Sequence, residues 1–225
     1  MKKILISGMA LVAMAGVASA TLITETFNPT DNTADEIAIP QGNLAGIANS
    51  LSVSDPGGAA IEDVSVNLDI SGGYDGDLYG YLVFQPSGGG SALLEVLLNQ
   101  IGKGPGNPFG TSTAGMNVTL SDSGGSSIHN ASGANLFPVG AGLPPVYTPD
   151  STTPLDGTFG GVSANGTWTL FLANLSEGGG TSTLVSWDMG ITVVPEPVTW
   201  ALAGFAGMLA VAGIRRYRNV MKARA

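Results

Sequence analysis

From Glu36 onward hydrophobic and polar side chains alternate with a period of two, the period of a strand buried on one face. Val64, Val66, Leu68 and Ile70 share one face of such a strand, and Ser65, Asn67 and Asp69 share the other. A turn is predicted over Gly72-Gly73-Tyr74-Asp75-Gly76, after which Asp77 to Phe84 alternates again with Leu78, Leu82 and Phe84 inward, so the two runs read as a hairpin. Pro86-Ser87-Gly88-Gly89-Gly90 marks a second turn and Ala92 to Leu98 a third strand. Near the far end Trp168, Leu170 and Leu172 alternate, followed by Trp187, Met189, Ile191 and Val193, which makes both tryptophans core residues. No stretch of this middle region carries a helical period. Short strands, one buried face and glycine-rich turns predict an all-β protein built as a jelly-roll-like sandwich.

The two ends follow other rules. Lys2 and Lys3 precede an apolar run from Ile4 to Val17 and then Ala18-Ser19-Ala20, the layout of a secretory leader cleaved after Ala20. Val198 to Ile214 is uncharged and apolar, long enough for one C-terminal transmembrane helix, with the basic residues Arg215, Arg216 and Arg218 directly behind it as a cytoplasmic stop. Before that run stands Val194-Pro195-Glu196-Pro197, whose two prolines force an extended, exposed joint. The order of VPEP, an Ala- and Gly-rich helix and RRYR resembles the PEP-CTERM sorting signal of bacterial exported proteins. The resemblance implies processing at Pro195, Glu196 and Pro197 by an exosortase-type enzyme, a transient stay in the inner membrane, and a bacterium that makes extracellular polysaccharide. Four segments follow: a leader over 1–20, a linker or edge segment over 21–35, the β-sandwich over 36–193 and the sorting signal over 194–225.

Composition narrows the chemistry. The chain holds 34 glycines and 13 prolines, charged residues are only 11% of it, yet 44% is hydrophobic, enough for a core. With no cysteine, disulfides, thiolate metal sites and thiol catalysis are all excluded, and a single histidine, His129, makes a Ser-His-Asp triad or a multi-histidine metal site a poor expectation. Between residues 21 and 194 sixteen acidic side chains face one base, Lys103, a balance of −15. Nucleic acid is excluded as a partner by that surface, whereas cations and neutral polymers suit it.

The middle region also resembles a known family. IAIPQ (37–41), IEDVSVNLDI (61–70), YDGDLYGYLV (74–83), QPSGGG (85–90), NGTWTLFLANL (165–175) and GGGTSTLVSWDMGITV (178–193) follow in the order of the P domain, or Homo B domain, of proprotein convertases and bacterial proteases. The resemblance implies a jelly-roll sandwich of about eight strands, and family members are often found with calcium. Only the short stretch 21–35 separates the expected cleavage from the first matching strand, so a stand-alone module, not one fused to a protease, is expected.

Asp75 and Asp77 in the turn, with Asp69 nearby, are oxygen ligands open to a Ca²⁺ ion, the alternative being aspartates that favour the turn through Asx bonding and keep the surface soluble. Asp63 is excluded from that set, since about eight strand residues at about 3.3 Å place it some 26 Å away. Tyr79, Tyr81 and Phe171 fall opposite the core face, where aromatic rings pack across strands or stack on sugars, and Tyr79 and Tyr81 are the candidate glycan contacts. His129 sits in a loop composition and reads as an exposed residue, and the triplets at Asn117, Asn130, Asn165 and Asn174 fit a glycosylation pattern expected to stay unmodified. No G-x-S-x-G elbow or phosphate-binding loop is present. The expectation is a non-catalytic, exported surface or matrix protein; the alternatives are a carbohydrate-binding or carbohydrate-active jelly roll, or a non-covalent partner of a separate exported protease.

Overall fold

The computed structural model describes residues 20–27, 36–55, 57–138 and 142–194, together with helical residues 207–209, 211–214 and 216. Residues 1–19 of the expected leader, the Pro195-Glu196-Pro197 motif, Arg215 and Arg218 lie outside the described residues, and Arg216 is helical. Of the membrane helix expected over 198–214, residues 207–209 and 211–214 are helical, and among the described residues no helix is long and apolar enough to cross a membrane.

The described residues from 20 to 194 form one compact unit of two sheets, antiparallel but for a short parallel pair at one edge of the larger. The strands are β1 (Thr21–Phe27), β2 (Ile37–Ile39), β3 (Ile47–Val53), β4 (Ala60–Tyr74), β5 (Leu78–Pro86), β6 (Leu93–Asn99), β7 (Ala114–Ser121), β8 (Val146–Tyr147), β9 (Gly166–Asn174) and β10 (Ser182–Val194), with one short helix, α1 (Leu155–Phe159). The larger sheet runs β1-β10-β4-β7-β8, with β2 sharing the β1 side of β10, and the smaller sheet runs β3-β9-β5-β6. Eight strands pair in a nested order, β2 with β10, β3 with β9, β4 with β7 and β5 with β6, so one long two-stranded ribbon is wound across both sheets. Residues 21–27, expected as a linker or edge segment, are an edge strand against β10.

The alternation read from the sequence is the packing. Val64, Val66, Leu68 and Ile70 of β4 are buried against Leu78, Leu82 and Phe84 of β5 and Trp168, Leu170 and Leu172 of β9. Fully burying each such side chain is worth about 1.5–3 kcal/mol. Trp168 stacks on Phe84 at 4.1 Å and meets the edge of Phe159 at 5.0 Å. Trp187 of the larger sheet donates its indole N–H to Asn49 Oδ1 of the smaller one at 2.8 Å. In β10 a register shift between Leu184 and Ser186 swaps the parity, which is why Leu184 and Trp187, three positions apart, both point inward.

One expectation is corrected. The run over 74–83 is not a hairpin, because β4 lies in the larger sheet and β5 in the smaller. Asp75–Asp77 is a 3₁₀ turn that carries the chain around a corner from one sheet to the other. The alternation continues on both sides of the corner, so period alone cannot reveal the change of sheet. The true hairpin is β5–β6, around the turn predicted at 86–90.

Candidate functional site

Two surfaces collect the functional expectations, the outer face of the smaller sheet and the β4–β5 corner. On the sheet face, register brings Ala48, Phe171, Tyr81 and Val96 into one row across four strands, with Ser50, Thr169, Val83 and Leu94 in the next. Tyr81 stacks on Phe171 at 4.5 Å and 14°, and Tyr79 meets Tyr81 edge-on at 6.1 Å. The three rings are partly exposed and Leu94 is 51% exposed. The Ser50 and Thr169 hydroxyls, 2.8 Å apart, flank the rings, and no carboxylate, lysine or arginine stands in these rows. Cross-strand packing and solvent access therefore hold together here: the rings pack on each other and remain partly exposed. Gly80 makes this possible from beneath, because a Cβ there would come within 2.7 Å of Leu172 Cδ2 in the core.

At the corner the two aspartates part company. Asp75 is fully buried, with no hydrogen-bond partner on either carboxylate oxygen, and its backbone N–H donates to Thr113 O. Burial pushes its carboxyl up to about 8, the backbone amide of Gly115 pulling weakly the other way. The Asn174 Nδ2 and Ser182 Oγ atoms, at the ends of β9 and β10 nearest the corner, are also buried without partners. Asp77 instead lines a cavity of about 310 Å³ whose walls include Tyr74, Phe109, Ser112, Ser176 and Gly179. Burial raises the Asp77 carboxyl, while Lys103 and the Ser176 hydroxyl lower it. The loop carrying Phe109 is pressed onto the corner by a glycine pair: a Cβ on Gly76 would fall 2.6 Å from Thr111 N, and one on Gly110 would fall 2.8 Å from Gly76 Cα.

Asp69 does not join the corner. It stands on the outer face of the larger sheet, accepting from Asn117 Nδ2 at 3.3 Å, six residues up the strand and hence roughly 15–20 Å away. Burial raises its carboxyl, and Glu36 adds to the effect. Among the described residues no three of His, Cys, Asp and Glu gather closely enough to hold a metal ion. A Ca²⁺ ion at the corner would therefore rely on Asp75 and Asp77 with backbone and hydroxyl oxygens, a donor set of the right hardness but short of carboxylates.

His129 is not a free loop residue. Its Nδ1 lies 2.7 Å from Asp150 Oδ2 and its Nε2 lies 2.9 Å from the Lys103 carbonyl oxygen, so both ring nitrogens face acceptors. The bond to Asp150 is the main cause of its raised pKa, which favours the imidazolium. The ring thus ties the loop after β6 to the 3₁₀ turn at Ile128–Asn130. Of the four glycosylation-type asparagines, Asn174 is buried, Asn117 bonds to Asp69, Asn165 bonds to the Asp55 carbonyl oxygen at 2.8 Å, and Asn130 is exposed.

Tyr74, Phe109 and Asp150 are the residues that sequence reasoning passed over. Phe109 lies inside a Gly- and Pro-rich stretch with no period, and Asp150 is 21 residues from its partner. Only Tyr74, flanking the Asp75-Gly76-Asp77 turn, carried a local signal.

No protein-family model and no curated protein matches the chain. Five solved chains match it in fold. One, from a crystal structure of the Aeromonas sobria serine protease in complex with the chaperone ORF2, has a TM-score of 0.46 at 17% identity, covering 79% of this chain and 28% of that one. Another, a crystal structure of the Aeromonas sobria serine protease, has a TM-score of 0.44 at 18% identity with the same coverages. This chain thus spans 28% of the length of these two solved chains, and at these identities and scores the likeness bears on neither activity nor partner.

Proposed function

We propose that this chain is a non-catalytic binding module displayed outside the cell, and that the outer face of its smaller sheet takes an uncharged stretch of extracellular polysaccharide. The observation that carries this reading is the Tyr81–Phe171 stack, continued by Tyr79 and flanked by the Ser50 and Thr169 hydroxyls, on a face without carboxylate or basic side chains. Aromatic rings offer flat apolar surface to the C–H face of a sugar, and neighbouring hydroxyls serve its O–H groups. The nested strand pairing supports the finer reading of the fold as a jelly roll of the P-domain type. Delivery to the surface or matrix by an exosortase-type system rests on the leader and on the VPEP, apolar and basic order of the tail.

Binding to a panel of neutral polysaccharides, measured on the secreted protein, tests the proposal. Tyr81→Ala and Phe171→Ala are each expected to weaken binding at least about tenfold. Unchanged binding in both variants overturns the glycan face, and retention of the protein by a secreted protease through those residues would transfer the face to a protease partner. Mass spectrometry of the same material is expected to place the C-terminus near Pro195–Pro197; an end at Ala225 overturns the processing step.

A further inference from the structure

The corner cavity joins a carboxylate, two aromatic rings and a close-packed glycine. Its carboxylate, Asp77, is only 8% exposed, and its rim carries two solvent-facing rings, Tyr74 at 42% and Phe109 at 83% exposure. A Cβ on Gly179 would lie 2.3 Å from Asp77 Oδ2 and 2.8 Å from the Tyr74 ring, so only glycine lets the backbone there close this wall of the cavity against both groups. At about 310 Å³ the space is at the lower end of the range for small-ligand pockets.

A carboxylate that shares a cavity with two aromatic rings suits a cation that also has an apolar body, since ring faces attract positive charge and cover hydrocarbon. A bare divalent ion is a poorer fit, because it takes six to eight oxygen ligands and the rings supply none. The balance of −15 over residues 21–194 draws cations toward the whole domain before any contact forms. Position adds the last constraint. Asp77 is two residues before Tyr79, and Ser176 is two residues after Asn174, the partner of Leu78, so the cavity lies at the strand ends from which the aromatic face begins.

We propose that the cavity receives the protonated amine of an amino-sugar unit, with Asp77 as counter-ion and Tyr74 and Phe109 against the ring. This deepens the glycan reading of the sheet face and rests on it: the polysaccharide lies along the face and its amine-bearing unit enters the corner. Ser112 lines the same space, and the Ser176 hydroxyl accepts from Gly178 N–H at 3.1 Å and bonds to the Asp77 carboxylate, which it helps hold in place.

Titration calorimetry on the full chain with a glucosamine tetramer and its fully N-acetylated counterpart tests this, at about pH 6 where the amine is charged. The free-amine oligomer is expected to bind about tenfold more tightly, and Asp77→Asn is expected to bring the two ligands within about twofold of each other. Phe109→Ala, at a side chain too exposed to matter for folding, is expected to weaken only the amine oligomer, by about threefold. Equal binding of both oligomers by the parent protein overturns the proposal, as does a preference that survives Asp77→Asn or one abolished by millimolar Ca²⁺. Equal binding that Tyr81→Ala removes would leave the sheet face standing and the amine pocket refuted. Binding of free glucosamine through Asp77 without any binding of the acetylated oligomer would do the reverse.

Discussion

The two sheets of this protein turn opposite kinds of surface to the outside. On the larger sheet, Asn67 donates to Asp188 at 2.6 Å and accepts from Thr119, Asn117 donates to Asp69, and Ser65 lies over the Gly190 carbonyl, so neighbouring strands are linked by a lattice of short polar side chains. On the smaller sheet the equivalent positions are rings, valines, a leucine and hydroxyls. A lattice that satisfies itself has little left to offer a ligand, while the stacked rings leave apolar surface partly exposed. Alternation alone does not separate the two, since both outer faces are half-exposed. What separates them is whether the outward residues exhaust their interactions on one another.

The largest effect is expected where that satisfaction fails. Asp75 is polar, buried and without partners, the opposite of the Asn67 lattice. Its folded pKa of about 8 stands above the unfolded value, so between about pH 4 and about pH 8 the folded state holds a proton that the unfolded state has released. Stability contributed by this group is therefore full in acid and lost as pH rises through that window. Asp75→Asn should raise stability at pH 8 by on the order of 4 kcal/mol and flatten the decline, read by denaturant unfolding across pH. A variant less stable than the parent at pH 8 would overturn this account of Asp75.

Next in size is the lattice itself. Asn67→Ala strips partners from Asp188 and Thr119 together and should cost about 2 kcal/mol while leaving glycan binding as it was. Tyr81→Ala should do the converse, costing about 1 kcal/mol in lost stacking but removing binding. If the two variants affect binding equally, the contrast between the faces is broken. The smallest effect belongs to His129. Its raised pKa means the strut to Asp150 is fully present below about pH 6.5 and fades as pH rises through the folded value. His129→Gln should therefore lower stability at about pH 6 and be nearly silent at about pH 9.

Much of this was legible in the chain, and for a single reason: each long strand keeps one face dry, so period two names the core. The inward places of Val64 to Ile70, Trp168 to Leu172 and Trp187 to Val193 follow from parity because burial dominates what these side chains do. The outward station of Tyr79, Tyr81 and Phe171 followed from the same parity. Where two strands change sheets the signal vanishes, since a corner and a hairpin share glycines, aspartates and an uninterrupted alternation. The corner cavity was illegible for another reason, because Phe109 reaches it from a periodless loop pinned by Gly76 and Gly110, a contact between positions with no local pattern. The His129 strut was hidden likewise, as nothing near either residue marks the other.

The nested ribbon has a consequence in time. Ser50 waits for Thr169, 119 residues later, and Asn49 waits for Trp187, 138 residues later. Until β9 and β10 have emerged, β3 has no neighbour in its sheet and β4 lacks one flank, and the β5–β6 hairpin is the local piece that can form early. Such long-range pairing makes for slow closure. A chain of this design, threaded through a membrane from its N-terminus, would remain open and unfinished until nearly all of it had crossed.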